Sequence, residues 1–229
     1  MIAVVTSTIK PANYSFFDQS TRLEQTRQTL DSLYQKAGTI FLVDNSPGIS
    51  ETELDEMLAG YPHVKKIHLT QYQFDNKGIT EVMMLLSICD QLPLNTPIFK
   101  ISGRYSYIKP VLNINIPADF MGKGYRFNTK YGAVSTRGYW VKNVTVFKAL
   151  LLETLTNMFT YPEKITGARS FLNKFNKALF NKDYIKINTS VEFAMATALK
   201  NNGYSISLLN NLGIQGYIAG ADKLDLISE

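Results

Sequence analysis

Short apolar runs that end in small polar residues alternate, along the N-terminal half, with stretches whose apolar positions recur every three or four residues. Ile2-Ala3-Val4-Val5-Thr6-Ser7 predicts a buried first strand whose C-terminal end opens into a loop. That loop runs through Lys10-Pro11-Ala12-Asn13-Tyr14, and a helix follows, with Ser20 or Thr21 as its expected N-cap and Glu24 behind it. Leu23, Thr26, Leu30 and Leu33 give that helix a core-facing stripe. After Gly38, Thr39 to Ser46 predicts a second buried strand with a polar tip, so the unit is strand–helix–strand and its strands pair in parallel. The alternation continues with a short helix over Glu51 to Ala59, a strand over Val64 to Leu69, a helix over Gly78 to Leu92 and a strand over Pro97 to Ser102.

Beyond Arg104 the rhythm changes. Tyr105 to Ile116 and Gly132 to Val141 predict strands with no helix between them. Asn143 to Phe159 predicts a long helix, Val191 to Lys200 another, and a stretch rich in Lys and Asn lies between them over Lys174 to Asn188. Gly213 to Gly220 reads as a strand or loop. Neither an internal repeat nor a low-complexity linker interrupts the chain. The expected fold is therefore one α/β domain over residues 1–229, a mostly parallel central sheet flanked by helices.

Composition narrows the class. A chain of 229 residues buries roughly 70% of its unfolded surface without staples. Its single cysteine, Cys89, excludes an internal disulfide framework and fits a reducing compartment. No basic leader opens the sequence, and apolar runs such as Val82 to Leu86 fall far short of the ~20 residues of a membrane span. The expected location is the cytoplasm, if need be at the inner face of the membrane. A net charge of +5 favours anionic partners. The basic residues are scattered rather than striped, so phosphorylated small molecules or an anionic membrane face suit them better than nucleic acid, which is not expected.

In an open parallel sheet, ligands bind outside the carboxyl ends of the strands, beside the switch point. Three strand ends are unusually polar: Thr6-Ser7-Thr8, Asp44-Asn45-Ser46 and Ser102-Gly103-Arg104-Tyr105. Each taken alone also reads as ordinary loop chemistry; their convergence on one sheet edge strengthens the functional reading. Asp44 either accepts from a ribose or base edge or serves an Asx-turn or helix N-cap. Asn76-Lys77-Gly78 puts a cation and a flexible backbone at a helix N-terminus, which suits an anion. Lys100, in a buried strand, needs a partner or a ligand. Gly103 admits close approach, and Arg104 offers a planar fork for phosphate or carboxylate. Glu192 heads a helix after Asn188-Thr189-Ser190 and is either a favourable first-turn charge or a general base. With only His63 and His68, no Ser-His-Asp hydrolase is supported, and neither a phosphate loop nor a Gly-x-Gly-x-x-Gly fingerprint occurs.

Asn76-Lys77-Gly78-x-x-Glu81 followed by Phe99-Lys100-Ile101-Ser102-Gly103-Arg104-Tyr105 is similar to a motif pair in bacterial and viral sugar transferases of surface-glycan synthesis. The layout resembles a GT-A-type, Rossmann-like glycosyltransferase. That resemblance implies a nucleotide-sugar-binding half over 1–105 and an acceptor-binding half over 106–229. It implies a sugar transfer from a nucleotide-sugar donor to a glycan or lipid-linked acceptor in lipopolysaccharide or capsule synthesis, with peripheral membrane association. Thr6, Ser7, Thr8, Arg22, Asp44, Asn45 and Ser46 would hold the nucleoside. Lys77, Lys100, Arg104 and Arg137 would offset phosphate charge, beside Asn76, Gly78, Ser102, Gly103 and Tyr105. Glu192 or Glu81 would be the base. The family commonly holds manganese or magnesium on an Asp-x-Asp element, which this sequence lacks; a metal-independent transferase, or one using a nucleoside-monophosphate sugar, fits that departure, and a divalent cation stays open. A non-catalytic nucleotide- or anion-binding protein on the same fold, or a basic nucleic-acid-binding module, are the alternatives.

Overall fold

The computed structural model describes residues 1–11, 17–112, 116–159, 167–169, 171–172, 189–219 and 224–229. Its strands are β1 (Ile2–Ser7), β2 (Thr39–Asp44), β3 (Val64–His68), β4 (Ile98–Ser102), β5 (Tyr105–Tyr107), β6 (Phe120–Tyr125), β7 (Ala133–Val141), β8 (Ile206–Leu208), β9 (Ile214–Ala219) and β10 (Leu224–Ser228). The helices are α1 (Gln19–Leu33), α2 (Glu51–Met57), α3 (Lys77–Ile88), α4 (Val144–Phe159) and α5 (Val191–Asn201).

A seven-stranded sheet in the order β3-β2-β1-β4-β7-β6-β8 forms the centre. β1 pairs in parallel with both β2 and β4, and β2 with β3. β7 runs antiparallel to β4 and β6, and β8 returns parallel to β6. A second, antiparallel sheet in the order β10-β9-β5 leans on this frame. The mixed, mostly parallel sheet flanked by helices agrees with the expected fold class.

Strand periodicity sorts the core into two layers. Ile2, Val4 and Ile98 face α3, α4 and α5, where they meet Ile79, Phe147 and Ala194. Ala3, Val5, Phe99 and Ile101 face the other way, onto Leu30 and Leu33 of α1, Leu54 of α2, and Tyr105, Tyr107 and Ile214 of the small sheet. Phe99 stacks on Trp140 there, with ring centroids 4.5 Å apart. By the same parity Thr6, Lys100 and Ser102 point to the α3 side, while Ser7 points to α1.

Several boundaries differ from the sequence reading. The N-cap of α1 is Asp18, whose side chain accepts from the Thr21 amide, rather than Ser20 or Thr21; a carboxylate also complements the helix dipole. The long strand expected over Tyr105 to Ile116 stops at Tyr107, where the Ile108 amide bonds the Gly213 carbonyl at 2.8 Å. α3 ends at Ile88, and a short tight turn carries the chain through Cys89–Gln91. β6, β8 and β10 were not anticipated. The expectations for Ala12 to Tyr14 and for Lys174 to Asn188 lie outside the described residues. Among those described, no helix is long and apolar enough to cross a membrane.

Candidate functional site

β1 lies between β2 and β4, so the chain leaves it once to each side, and the crevice of a switch point opens at its C-terminal end. Thr6 is paired with Ser102 across that point. The Gly103 amide continues the ladder to the Thr6 carbonyl at 2.8 Å. A side chain at Gly103 would come within 3.2 Å of that same carbonyl, which explains the glycine.

A cavity of about 280 Å³ opens beside α1. Thr6, Ser7, Thr8, Arg22, Asn45, Gly103 and Arg104 line it with Asp75, together with Thr26, Gln73 and Phe74, which the sequence reading missed. Its walls are braced from below. Ser7 Oγ and Thr26 Oγ1 lie 3.0 Å apart, Arg22 donates to the Thr8 carbonyl at 3.0 Å, and Thr8 donates to Asn45 Oδ1. Gln73 is held by the Asn45 carbonyl at 2.6 Å. Burial and the repulsion of nearby Arg104 lower the Arg22 pKa, and Asp44 opposes them. Two guanidinium groups thus face one another across a polar hollow, an arrangement that an anion relieves.

A second cavity of about 580 Å³ lies next to it, between α3, α5 and β7. Asn76, Gly78, Tyr105, Thr136, Arg137, Thr189, Ser190 and Glu192 belong to this one alone. Lys77, Glu81, Ser102 and Arg104 line both and form the partition. Asn76 caps α3 by accepting from the Gly78 and Ile79 amides, and Ser190 caps α5. Gly78 keeps the two helix starts together, since a Cβ there would lie 3.0 Å from Val191 Cβ. Glu192 Oε1 accepts from Thr136 Oγ1 at 3.4 Å. Arg137 is tethered by Glu229 and by Tyr125 Oη. Burial opposes its charge, but Glu229 and the neighbouring tyrosines Tyr105 and Tyr125 raise its pKa overall. Burial and the Glu229 carboxylate push the Tyr125 phenol up to about 12.

Three expected ligand contacts are corrected. Asp44 is buried, and its carboxylate accepts from the Ile9 and Ser46 amides at 3.1 and 2.8 Å. It brackets two loops and does not reach either cavity, so the Asx-turn alternative describes it. Beside it, the His68 ring lies 3.5 Å from Asp44 Oδ1, and that carboxylate raises the His68 pKa against the effect of burial. Ser46 is buried too and accepts from the Lys10 amide at 2.9 Å. Lys100 is 0% exposed and lines neither cavity. Its ammonium pairs with Glu81 and donates to the Thr136 carbonyl at 2.6 Å, so it acts on the site through Glu81.

The residues do not fit the divalent cation that the family resemblance implies. Where carboxylates would be needed after β4, the chain presents Ser102, Gly103 and Arg104, and Glu81 is already paired. Among the described residues, no cluster of three His, Cys, Asp or Glu is placed to hold a metal.

No family model and no curated protein matches the chain. Solved structures of similar shape include the nucleoside-diphosphate-sugar pyrophosphorylase from Vibrio cholerae RC9, at TM-score 0.49 and 10% identity over 93% of this chain and 94% of that one. The galactosyltransferase LgtC, in complex with donor and acceptor sugar analogs, gives 0.48 and 9% over 96% and 88%. The glycosyltransferase GlyE of Streptococcus pneumoniae TIGR4 gives 0.48 and 11% over 91% and 45%. At such values the likeness carries no functional argument, and the site speaks through its own residues.

Proposed function

We propose that the chain is a glycosyltransferase that moves a sugar from a nucleotide-sugar donor to a glycan acceptor without a bound metal, in the synthesis of a surface polysaccharide or lipopolysaccharide. The observation that carries this reading is the pair of adjoining cavities that share Lys77, Glu81, Ser102 and Arg104. A nucleoside has the size of the smaller hollow, where Phe74 offers a ring face and Gln73 an amide. Its phosphates then reach the partition, where Lys77 and Arg104, with Arg22 behind, hold the negative charge.

The larger cavity receives the sugar and the acceptor. The acceptor hydroxyl attacks the anomeric carbon, its proton passes to the Glu192 carboxylate, and the bond from that carbon to the phosphate oxygen breaks. Leaving-group charge accumulates beside Lys77 and Arg104. Glu81 is committed to Lys100 and to Thr6 Oγ1, the latter at 3.3 Å. Proton acceptance there would compete with both, so Glu192 is the better base.

Thermal shift with UDP, GDP, dTDP and CMP, and with their sugar conjugates, tests the reading in EDTA and in manganese. A ligand at a hundred times its dissociation constant adds about 2.7 kcal/mol of stability. A rise in Tm with one nucleotide class that persists in EDTA and is lost in Arg104→Ala is the expected result. Sugar release from that donor should then fall at least a hundredfold in Glu192→Gln. A rise that needs manganese, or none with any nucleotide, contradicts the proposal.

A further inference from the structure

With the nucleotide in the smaller cavity and its phosphates at the partition, the far wall of the larger cavity still presents hydrogen-bond donors that nothing satisfies. Tyr105 lines this cavity and is 1% exposed; its hydroxyl lies beside the Arg137 guanidinium, from which it can only accept, and its own proton has no acceptor. A buried hydroxyl proton with no acceptor is costly to keep, so its persistence points to a ligand atom. Arg137 stands near it, tied along one edge by Glu229 and Tyr125, and a guanidinium carries five N–H donors in all. The starts of α3 and α5, held side by side at Gly78 and Val191, turn two helix N-termini toward the same space.

We propose that this wall binds an anionic group, a carboxylate or a phosphate, carried by the acceptor. The inference rests on the transferase reading for the word acceptor, but the site itself does not. A neutral sugar hydroxyl brings a donor with every acceptor and would leave part of a donor-rich wall unpaired. A carboxylate or phosphate brings acceptors only and pairs with Tyr105 Oη and Arg137 together, while the positive ends of the two capped helices add to the attraction. Glu192, held by Thr136 Oγ1, remains for the hydroxyl that reacts.

Calorimetric titration of the full chain in a phosphate-free buffer tests this with glucose, glucuronate and glucose 6-phosphate. At least one acidic sugar should bind ten times more tightly than glucose or better, and which of the two does so separates carboxylate from phosphate. Tyr105→Phe keeps the ring and should weaken that sugar about tenfold, as the loss of one hydrogen bond to a charged group does. Arg137→Gln should weaken it further, whereas Lys148→Met, at an exposed pair with Asp90 away from both cavities, should leave it unchanged. Equal binding of all three sugars, or an acidic sugar indifferent to Tyr105→Phe in a protein of unchanged urea midpoint, overturns the inference. The nucleotide panel run on the same variants keeps the two readings apart. Nucleotide binding that survives while acid selectivity is absent sinks only the anionic wall. Acid selectivity without nucleotide binding sinks only the transferase.

Discussion

Lys100 sits in the middle of the central sheet, paired on the β1 side with Val4 and on the β7 side with Tyr139. Its ammonium is fully enclosed, whereas the Glu81 side chain is 24% exposed toward the cavities. The two charges are therefore not equivalent. Removing the carboxylate strands a buried ammonium whose remaining neighbours are neutral, the Thr136 carbonyl and the Tyr139 ring 5.8 Å away. Removing the ammonium leaves a carboxylate that water can reach. Breaking a buried pair from one side costs about 3–5 kcal/mol when the remaining charge stays buried. Glu81→Leu should cost that much, and Lys100→Met distinctly less, as read from urea unfolding midpoints. Equal costs, or the reverse order, would show that the burial asymmetry does not govern the pair. Glu81 lies nineteen residues before Lys100, far beyond any helical or strand spacing. The sequence therefore demands a partner for the lysine without indicating which.

The N-terminus of α3 shows how an element sets the shape of the site. Asn76 caps it, Lys77 faces both cavities, and Gly78 brings it against Val191 of α5 and Met158 of α4. Gly78→Ala improves helix propensity by up to about 1 kcal/mol. Its methyl, however, meets Val191 Cβ at 3.0 Å, an atom fixed close to the backbone, and overpacking of that kind costs about 1–3 kcal/mol. We expect net destabilisation in a thermal melt, together with weaker binding of the donor; a rise in Tm would mean that α5 simply moves aside. Such contacts explain which parts of the molecule the sequence reveals. β1, β2 and β4 are legible because strands buried on both faces read as continuous apolar runs. Their C-terminal ends share one edge by parallel pairing alone, so most of the residues that line the two cavities could be named in advance. β6 could not be. Phe120-Met121-Gly122-Lys123-Gly124-Tyr125 carries two glycines and a register shift against β7, which erases the alternation that marks a strand. Thr26 and Gln73 were missed because they enter the site from a helix face and a connecting loop, where the residue type gives no signal.

At the scale of the whole molecule, the sheet divides into a parallel block, β3-β2-β1-β4, and an antiparallel extension, β7-β6, with the site over the boundary. The smaller cavity draws its walls from the first block, its helix α1 and the approach to α3. The larger one adds β7 and α5 from the second. Among the described residues, Lys77, Glu81, Ser102 and Arg104 alone face both. A nucleotide whose phosphates lie on that partition must therefore order backbone on both sides of it at once, and the expected signature is a pattern rather than a site. Amide hydrogen exchange in the presence of the nucleotide that raises the Tm should slow together over residues 6–8, 76–81 and 102–105. The same ligand should leave 206–208 on β8 and 224–228 on β10 unchanged, because no described residue of either strand lines a cavity. Protection confined to 6–8 would place the ligand wholly in the smaller hollow and separate the two cavities in function. Uniform protection of every strand would reflect global stabilisation, which reaches only amides that exchange through complete unfolding, and would give the partition no special part. Coordinated slowing of the three segments is what a substrate bridging the two halves of the sheet requires.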